Sequence, residues 1–179
     1  MIRNVNHCRL KDQSGFTLIE MLVVVIILGI LAMIIVPQIT VSTEDASVNT
    51  LQTNLNGVRT QIELYAAQHG NDYPGAKKTD GTGTDTAAAD LPDAFVDQLT
   101  LYTDAKGKTS ADVDKTNYPY GPYLKTGLPM NPFNNLNDVT CDITTTDVTT
   151  RDSSGAGTGW KYYVKTGVFF AADGAHDNL

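Results

Sequence analysis

The sequence predicts an α+β protein: one long N-terminal helix, membrane-spanning in its first half, whose second half packs on a C-terminal antiparallel β-sheet. Three observations carry this reading. An apolar run fills Phe16 to Val36, an apolar stripe at helical spacing follows from Val48 to Tyr65, and the C-terminal third alternates apolar and polar residues. They divide the 179 residues into a short basic leader (1–15), a spanning segment (16–36), an amphipathic helix half (37–70) and a globular body (71–179).

Phe16 to Val36 is apolar except for Thr17, Glu20 and the neutral Gly29. Its 21 residues suit a spanning helix, which needs about 20 for roughly 30 Å of hydrocarbon. An ordinary secretory signal has a shorter apolar core, of about 7–15 residues, and a small-residue cleavage site after it. Here Pro37-Gln38-Ile39-Thr40-Val41 follows and offers no such site. Arg3, Arg9 and Lys11 outnumber Asp12 in the leader, which predicts a cytoplasmic N-terminus with the body on the other side.

Glu20 is the anomaly, because a carboxylate in an apolar segment needs a partner or an interfacial position. Around it the chain reads Ser14-Gly15-Phe16-Thr17-Leu18-Ile19-Glu20-Met21-Leu22-Val23. This stretch resembles the signature of the type IV prepilin and pseudopilin family, a glycine followed by F-T-L-I-E and an apolar helix. The resemblance implies a pilin-like fold and a peptidase that removes the leader by cutting after Gly15 on the cytoplasmic face. It also implies methylation of the new amine on Phe16, and matches Glu20 to the glutamate at the fifth mature position. The chemistry agrees. Gly15 has no side chain to obstruct a protease. An α-amine with a pKa near 8 is largely protonated at neutral pH, so Glu20 of one subunit can pair with the Phe16 amine of its neighbour. Such a buried pair contributes little raw stability, and its expected role is register.

Beyond the membrane, Val48, Leu51, Leu55, Val58, Ile62 and Tyr65 recur at spacings of three and four. Packing on a sheet is expected, although a short coiled coil has the same period. Gly70, Asn71 and Pro74 end the helix, and Phe16 to His69 would make a rod of about 80 Å. Pro37 interrupts it, with a kink or local unwinding expected. Pilins carry a proline near this point, and the resemblance implies an assembly role for Pro37. His69 reads as a helix-end residue where a cation favours the dipole.

In the body, 75–89 has no large apolar side chain and reads as a mobile loop. Asp90-Leu91-Pro92 starts a second helix, with Leu91, Phe95 and Leu99 on one face. Asp104 to Lys115 reads as another loop. Val139, Cys141 and Ile143 alternate as a half-buried strand. Trp160 to Val164 and Val168 to Ala172 form a hairpin around Lys165-Thr166-Gly167, with Tyr162, Tyr163, Phe169 and Phe170 supplying its packing mass.

Tyr118 to Phe133 reads YPYGPYLKTGLPMNPF. It resembles a segment of the major pseudopilin of type II secretion systems, and is otherwise a Pro-rich structural loop of a kind found in several pilin branches. That resemblance implies a subunit that polymerises through its N-terminal helix into a secretion pseudopilus, with a type IV pilus subunit as the alternative. The implied partners are further copies of the chain, the prepilin peptidase, a platform protein with its ATPase, minor pseudopilins or pilins, and the lipid bilayer of the inner membrane. The pseudopilin's calcium-binding C-terminal segment is only faintly echoed by Ala172-Asp173-Gly174-Ala175-His176-Asp177. Calcium takes six to eight oxygens, so no ligands are assigned; no cofactor is expected, with calcium as the alternative. With Cys8 removed in the leader, Cys141 stands alone, and the disulfide-bounded loop of many type IV pilins cannot form.

Composition narrows the classes. The formal charge is −7; without the leader, 10 basic and 19 acidic residues remain, a net −9. An acidic surface repels phosphate backbones, so nucleic acid is not an expected partner. His69 and His176 are the histidines outside the leader, and no H-E-x-x-H, C-x-x-C, P-loop or G-x-S-x-G occurs, so no enzyme is expected.

Overall fold

A computed structural model describes residues 15–83 and 90–179, with the backbone alone described at 34–42. The leader, and with it Cys8 and the leader's basic residues, lies outside the described residues, as does 84–89. Two compact units are present, one ending at Glu44 and the other spanning Asp45–Leu179.

One helix, α1 (Leu18–Gln68, 51 residues), contributes to both. Where a kink or local unwinding is expected at Pro37, the backbone of this single subunit is helix through that position, with one amide donor missing there. In the first unit Phe16, Leu18, Ile19 and the apolar side chains up to Met33 are all exposed. Among the described residues no helix is long and apolar enough to cross a membrane. The fully described apolar stretch, Leu18–Met33, has 16 residues and rises about 24 Å, short of a bilayer core. The sequence run continues to Val36, where side chains lie outside the description.

In the second unit the stripe does what its spacing predicts. Leu51, Leu55, Val58, Ile62 and Tyr65 are buried in one cluster with Leu91, Phe95, Leu99, Trp160, Tyr162 and Phe169. The stripe therefore packs within its own chain, which decides against the coiled coil. Gly70 takes the left-handed conformation (φ +69°) that ends the helix, and Asn71 follows at φ +68° with its amide donating to the Ala66 carbonyl. The second helix, α2 (Leu91–Thr100), has a proline in its first turn and buries Leu91, Ala94, Phe95, Gln98 and Leu99.

The loops carry more structure than their composition suggested. Strand β1 (Tyr102–Thr103), just before the expected loop, pairs with β2 (Thr109–Ser110) inside it in a short antiparallel ladder. The first part of the 75–89 segment is fastened by Gln98, which is fully buried on α2. Its Oε1 accepts from the Gly75 amide at 2.8 Å, and its Nε2 donates to the carbonyls of Lys77 and Gly107, each at 3.0 Å. One side chain thus holds two loops against the helix.

The main sheet has the order β3–β4–β5, built from Val139–Asp142, Trp160–Tyr163 and Val168–Ala171. The β4–β5 pair is the expected antiparallel hairpin, with a loop one residue longer than expected (164–167) and Gly167 at φ +72°. A Cβ at Gly167 would collide with the ring of Tyr73, so glycine is required twice over. β3, in contrast, pairs parallel with β4, which makes the sheet mixed. Parallel pairing needs a crossover of about a dozen residues or more, and 143–159 supplies it. Asp142 at the end of β3, and Asp147 and Asp152 within the crossover, each fold the chain back by accepting from the amide two residues on.

The proline-rich segment is a strap across the body. The Tyr123 hydroxyl donates to Gln68 at 2.6 Å, the Leu124 amide to the Leu99 carbonyl at 2.8 Å, and the Trp160 indole to the Pro129 carbonyl at 2.8 Å. Asn131, fully buried, donates to the Gly159 carbonyl at 3.0 Å. Arg59 of α1 completes the closure, its Nε donating to the Phe169 carbonyl at 2.9 Å and its NH2 group to the Leu179 carbonyl at 2.6 Å.

Candidate assembly site

Gly15, Phe16 and Thr17 precede α1, and Thr17 stands at its N-cap. The sequence T-x-x-E there forms a capping box. The Glu20 amide donates to the Thr17 hydroxyl oxygen at 3.3 Å. In return, Glu20 Oε2 accepts from both the Thr17 amide and the Thr17 hydroxyl at 2.7 Å. The carboxylate therefore caps the helix that carries it, and its negative charge faces the positive end of the helix dipole.

What surrounds the box is apolar and uncovered. Phe16, Ile19, Val23 and Val24 border one shallow groove with Glu20. Phe16 is 81% exposed and Leu18 90%, and no other described residue covers them. A Cβ on Gly15 would meet no atom within 4 Å, so the bond after it is sterically open. Gly15, Phe16 and Glu20 thus lie together at the helix start, as their sequence spacing requires, with Thr17 joining them. Thr17 was legible only as an exception in an apolar run; the T-x-x-E spacing was the signal for its cap. Pro37 lies on the same helix, and its side chain is outside the description.

The remaining candidates have structural roles. His69 is buried, its ring stacked on Tyr65 at 3.8 Å. Its Nδ1 lies 2.8 Å from the Tyr65 carbonyl and its Nε2 3.1 Å from the Thr103 hydroxyl. Burial lowers its pKa, outweighing the hydrogen bonds to Tyr65 and Asp104 that raise it, so the neutral ring is favoured. This corrects the reading of His69 as a helix-end cation. Burial pushes the Cys141 thiol up to about 12, which makes it a packing residue rather than a nucleophile.

The C-terminal carboxylates are held by hydrogen bonds within the chain. Asp173 Oδ1 accepts from the Ala175 and His176 amides at 2.9 Å and contacts His176 Nδ1 at 3.0 Å, while Oδ2 accepts from Asn131 at 3.2 Å. Asp177 accepts from the Ser153 amide through Oδ2, and its Oδ1 is buried without a partner. Among the described residues no three His, Cys, Asp or Glu side chains gather as metal ligands.

Residues 10–36 match the family model described as the prokaryotic N-terminal methylation motif. The chain is 30% identical over 125 residues to the type II secretion system core protein G of Aeromonas hydrophila, covering 70% of this chain and 71% of that protein. With the protein of the same name from Pseudomonas aeruginosa it shares 42% identity over 55 residues, 31% of this chain and 39% of that one. It is also 32% identical over 72 residues to the ComG operon protein 3 homolog of Bacillus licheniformis, 40% of this chain and 74% of the relative. No solved structure matches.

Proposed function

Since the chain belongs to the type II secretion system core protein G family, we propose that it is the repeating subunit of a secretion pseudopilus. The observation that carries this is the pairing of a self-capped Glu20 with an apolar helix start that the other described residues leave bare. Such a surface is stable in lipid or against other copies, and unfavourable in water. The helix first anchors the subunit in the inner membrane, with the body on the periplasmic side. The same apolar surface then packs in the filament core.

In this reading a prepilin peptidase cuts after Gly15 and methylates Phe16. Glu20 exchanges its Thr17 contacts for the Phe16 amine of a neighbouring subunit, which sets register. The helix at Pro37, short of one amide bond, yields most easily when subunits are drawn into the filament. A platform protein and its ATPase drive that step, and minor pseudopilins join the same fibre. The role is structural and calls for no cofactor.

Intact mass and N-terminal fragmentation of the protein from native membranes tests this directly. A chain beginning at methylated Phe16 is the expected result. A chain that keeps residues 1–15, or one cut after Val36, would overturn it. The similarity to the ComG homolog supports a second reading, a subunit of a type IV pilus or related surface filament. Neighbouring genes for an outer-membrane secretion channel or for competence proteins separate the two.

A further inference from the structure

Gly57 lies in the interior of α1, exposed, and a Cβ placed on it would meet nothing within 4 Å. Glycine is a poor helix-interior residue, and neither a turn nor a close approach within the chain calls for it here. Beside it runs a groove of about 210 Å³, walled by Thr53 and Val58 of α1 and by Leu124 and Pro129 of the strap. Two of the polar groups at its edge are hydrogen-bonded within the chain, while the Thr126 hydroxyl on the same rim is exposed. The Thr53 hydroxyl donates to the Asn49 carbonyl at 2.8 Å, and the Asn54 amide to the Met130 carbonyl at 3.1 Å. Met130, next to Pro129, is 55% exposed. No residue lining the groove is ionisable, on a chain of net charge −7.

We propose that this groove is a body-to-body contact, in which an apolar side chain of a second copy of the chain seats over Gly57. The proposal rests on the polymer reading above and adds a specific surface to it. Copies of an acidic chain repel one another, so their contacts are least costly where the surface carries no charge. A basic partner would be drawn instead to the Asp-bearing faces. A groove filled by a different face of the next copy is a heterologous contact, which repeats head to tail and builds a fibre.

The test compares full-length wild type, Gly57→Ala and Gly57→Leu in native membranes, reading N-terminal processing, melting temperature and sedimentable filament. Leucine enters open space on a helix, so processing is expected unchanged and melting equal or higher. Filament is expected to fall at least about tenfold in Gly57→Leu and to persist in Gly57→Ala. A Gly57→Cys variant gives a readout that survives any perturbation by leucine: its thiol should react with maleimide in dispersed subunits and be protected in filaments. Undiminished filaments in Gly57→Leu, or equal thiol reactivity in both states, overturn the groove while leaving the polymer reading intact. Wild type that is processed yet never sediments overturns the polymer reading, and the groove with it.

Discussion

Glu20 Oε2 sits 2.7 Å from both the amide nitrogen and the hydroxyl oxygen of Thr17, so the one acidic side chain of the apolar segment is partnered within its own first turn. A buried or lipid-facing carboxylate without hydrogen bonds is strongly disfavoured. Thr17 relieves that cost in the single subunit and can be displaced when a stronger, charged donor arrives.

Replacing Thr17 by valine keeps the volume and removes the hydroxyl. Two of the three contacts are lost, and loss of an N-cap costs about 1 kcal/mol. In detergent micelles the amides of Leu18 to Met21 should exchange several-fold faster, and Thr17→Ser should restore wild-type rates. Unchanged exchange in Thr17→Val would show that the hydroxyl contributes nothing to the helix start.

Glu20→Gln separates charge from hydrogen bonding. Glutamine can still accept from Thr17, so membrane insertion and cleavage should proceed as in wild type. Without a charge to attract the neighbouring Phe16 amine, filament yield should drop. A variant that assembles at the wild-type rate into regular filaments would remove the register role.

Gln98, fully buried on α2, bonds to both neighbouring loops. Gln98→Leu leaves the Gly75 amide and the carbonyls of Lys77 and Gly107 without their partner. Each buried unsatisfied group costs about 1–3 kcal/mol, and a loss of roughly 3 kcal/mol overall is expected. Limited proteolysis should cut first between Gly75 and Gly83. A variant that melts like wild type with unaltered cleavage would mean that the loops are held by other contacts.

His69 predicts a pH dependence. Its folded pKa is lowered by burial, so below its ordinary value near 6.5 the unfolded chain binds more protons than the folded one. Stability attributable to this residue should therefore decline as pH falls from about 6.5, levelling off below the folded pKa. Tyr65, Tyr120 and Tyr123 line the ring, Thr103 bonds it, and Asp104 and Lys77 act on it electrostatically. Denaturation midpoints measured between about pH 7.5 and pH 5 should show a smaller decline in His69→Gln. An identical slope in the two proteins would assign the dependence elsewhere.

The elements with a strong period were legible in the sequence. The stripe from Leu51 to Tyr65 and the face of Leu91, Phe95 and Leu99 are buried as their spacing implies, because burial alone explains such spacing. The hairpin was legible for the same reason, helped by Gly167. What was not legible depends on partners distant in sequence. The parallel register of β3 is set by a crossover whose turns are local but whose destination is not. The Trp160–Pro129 bond joins residues 31 apart and leaves no trace in either segment. Gln98 did leave one: a polar residue one turn from Ala94, on the apolar face of α2. At the assembly site the T-x-x-E spacing of Thr17 and Glu20 carried a capping-box signal that the sequence reading did not use, whereas the openness of the groove beside Gly57 follows only from how the strap is laid.

The hold of Arg59 on the Phe169 carbonyl has a consequence for how this chain can associate. β5 is an outer strand, and an unguarded outer strand is a template on which another chain can extend the sheet. A guanidinium from α1 occupies an acceptor of that strand, and carries a positive charge that an incoming strand would have to displace. That edge of the sheet is thereby guarded against extension by another strand, which favours helix-mediated stacking as the route to a fibre. Arg59→Leu should free that acceptor, and disordered β-rich aggregates should then compete with ordered filaments.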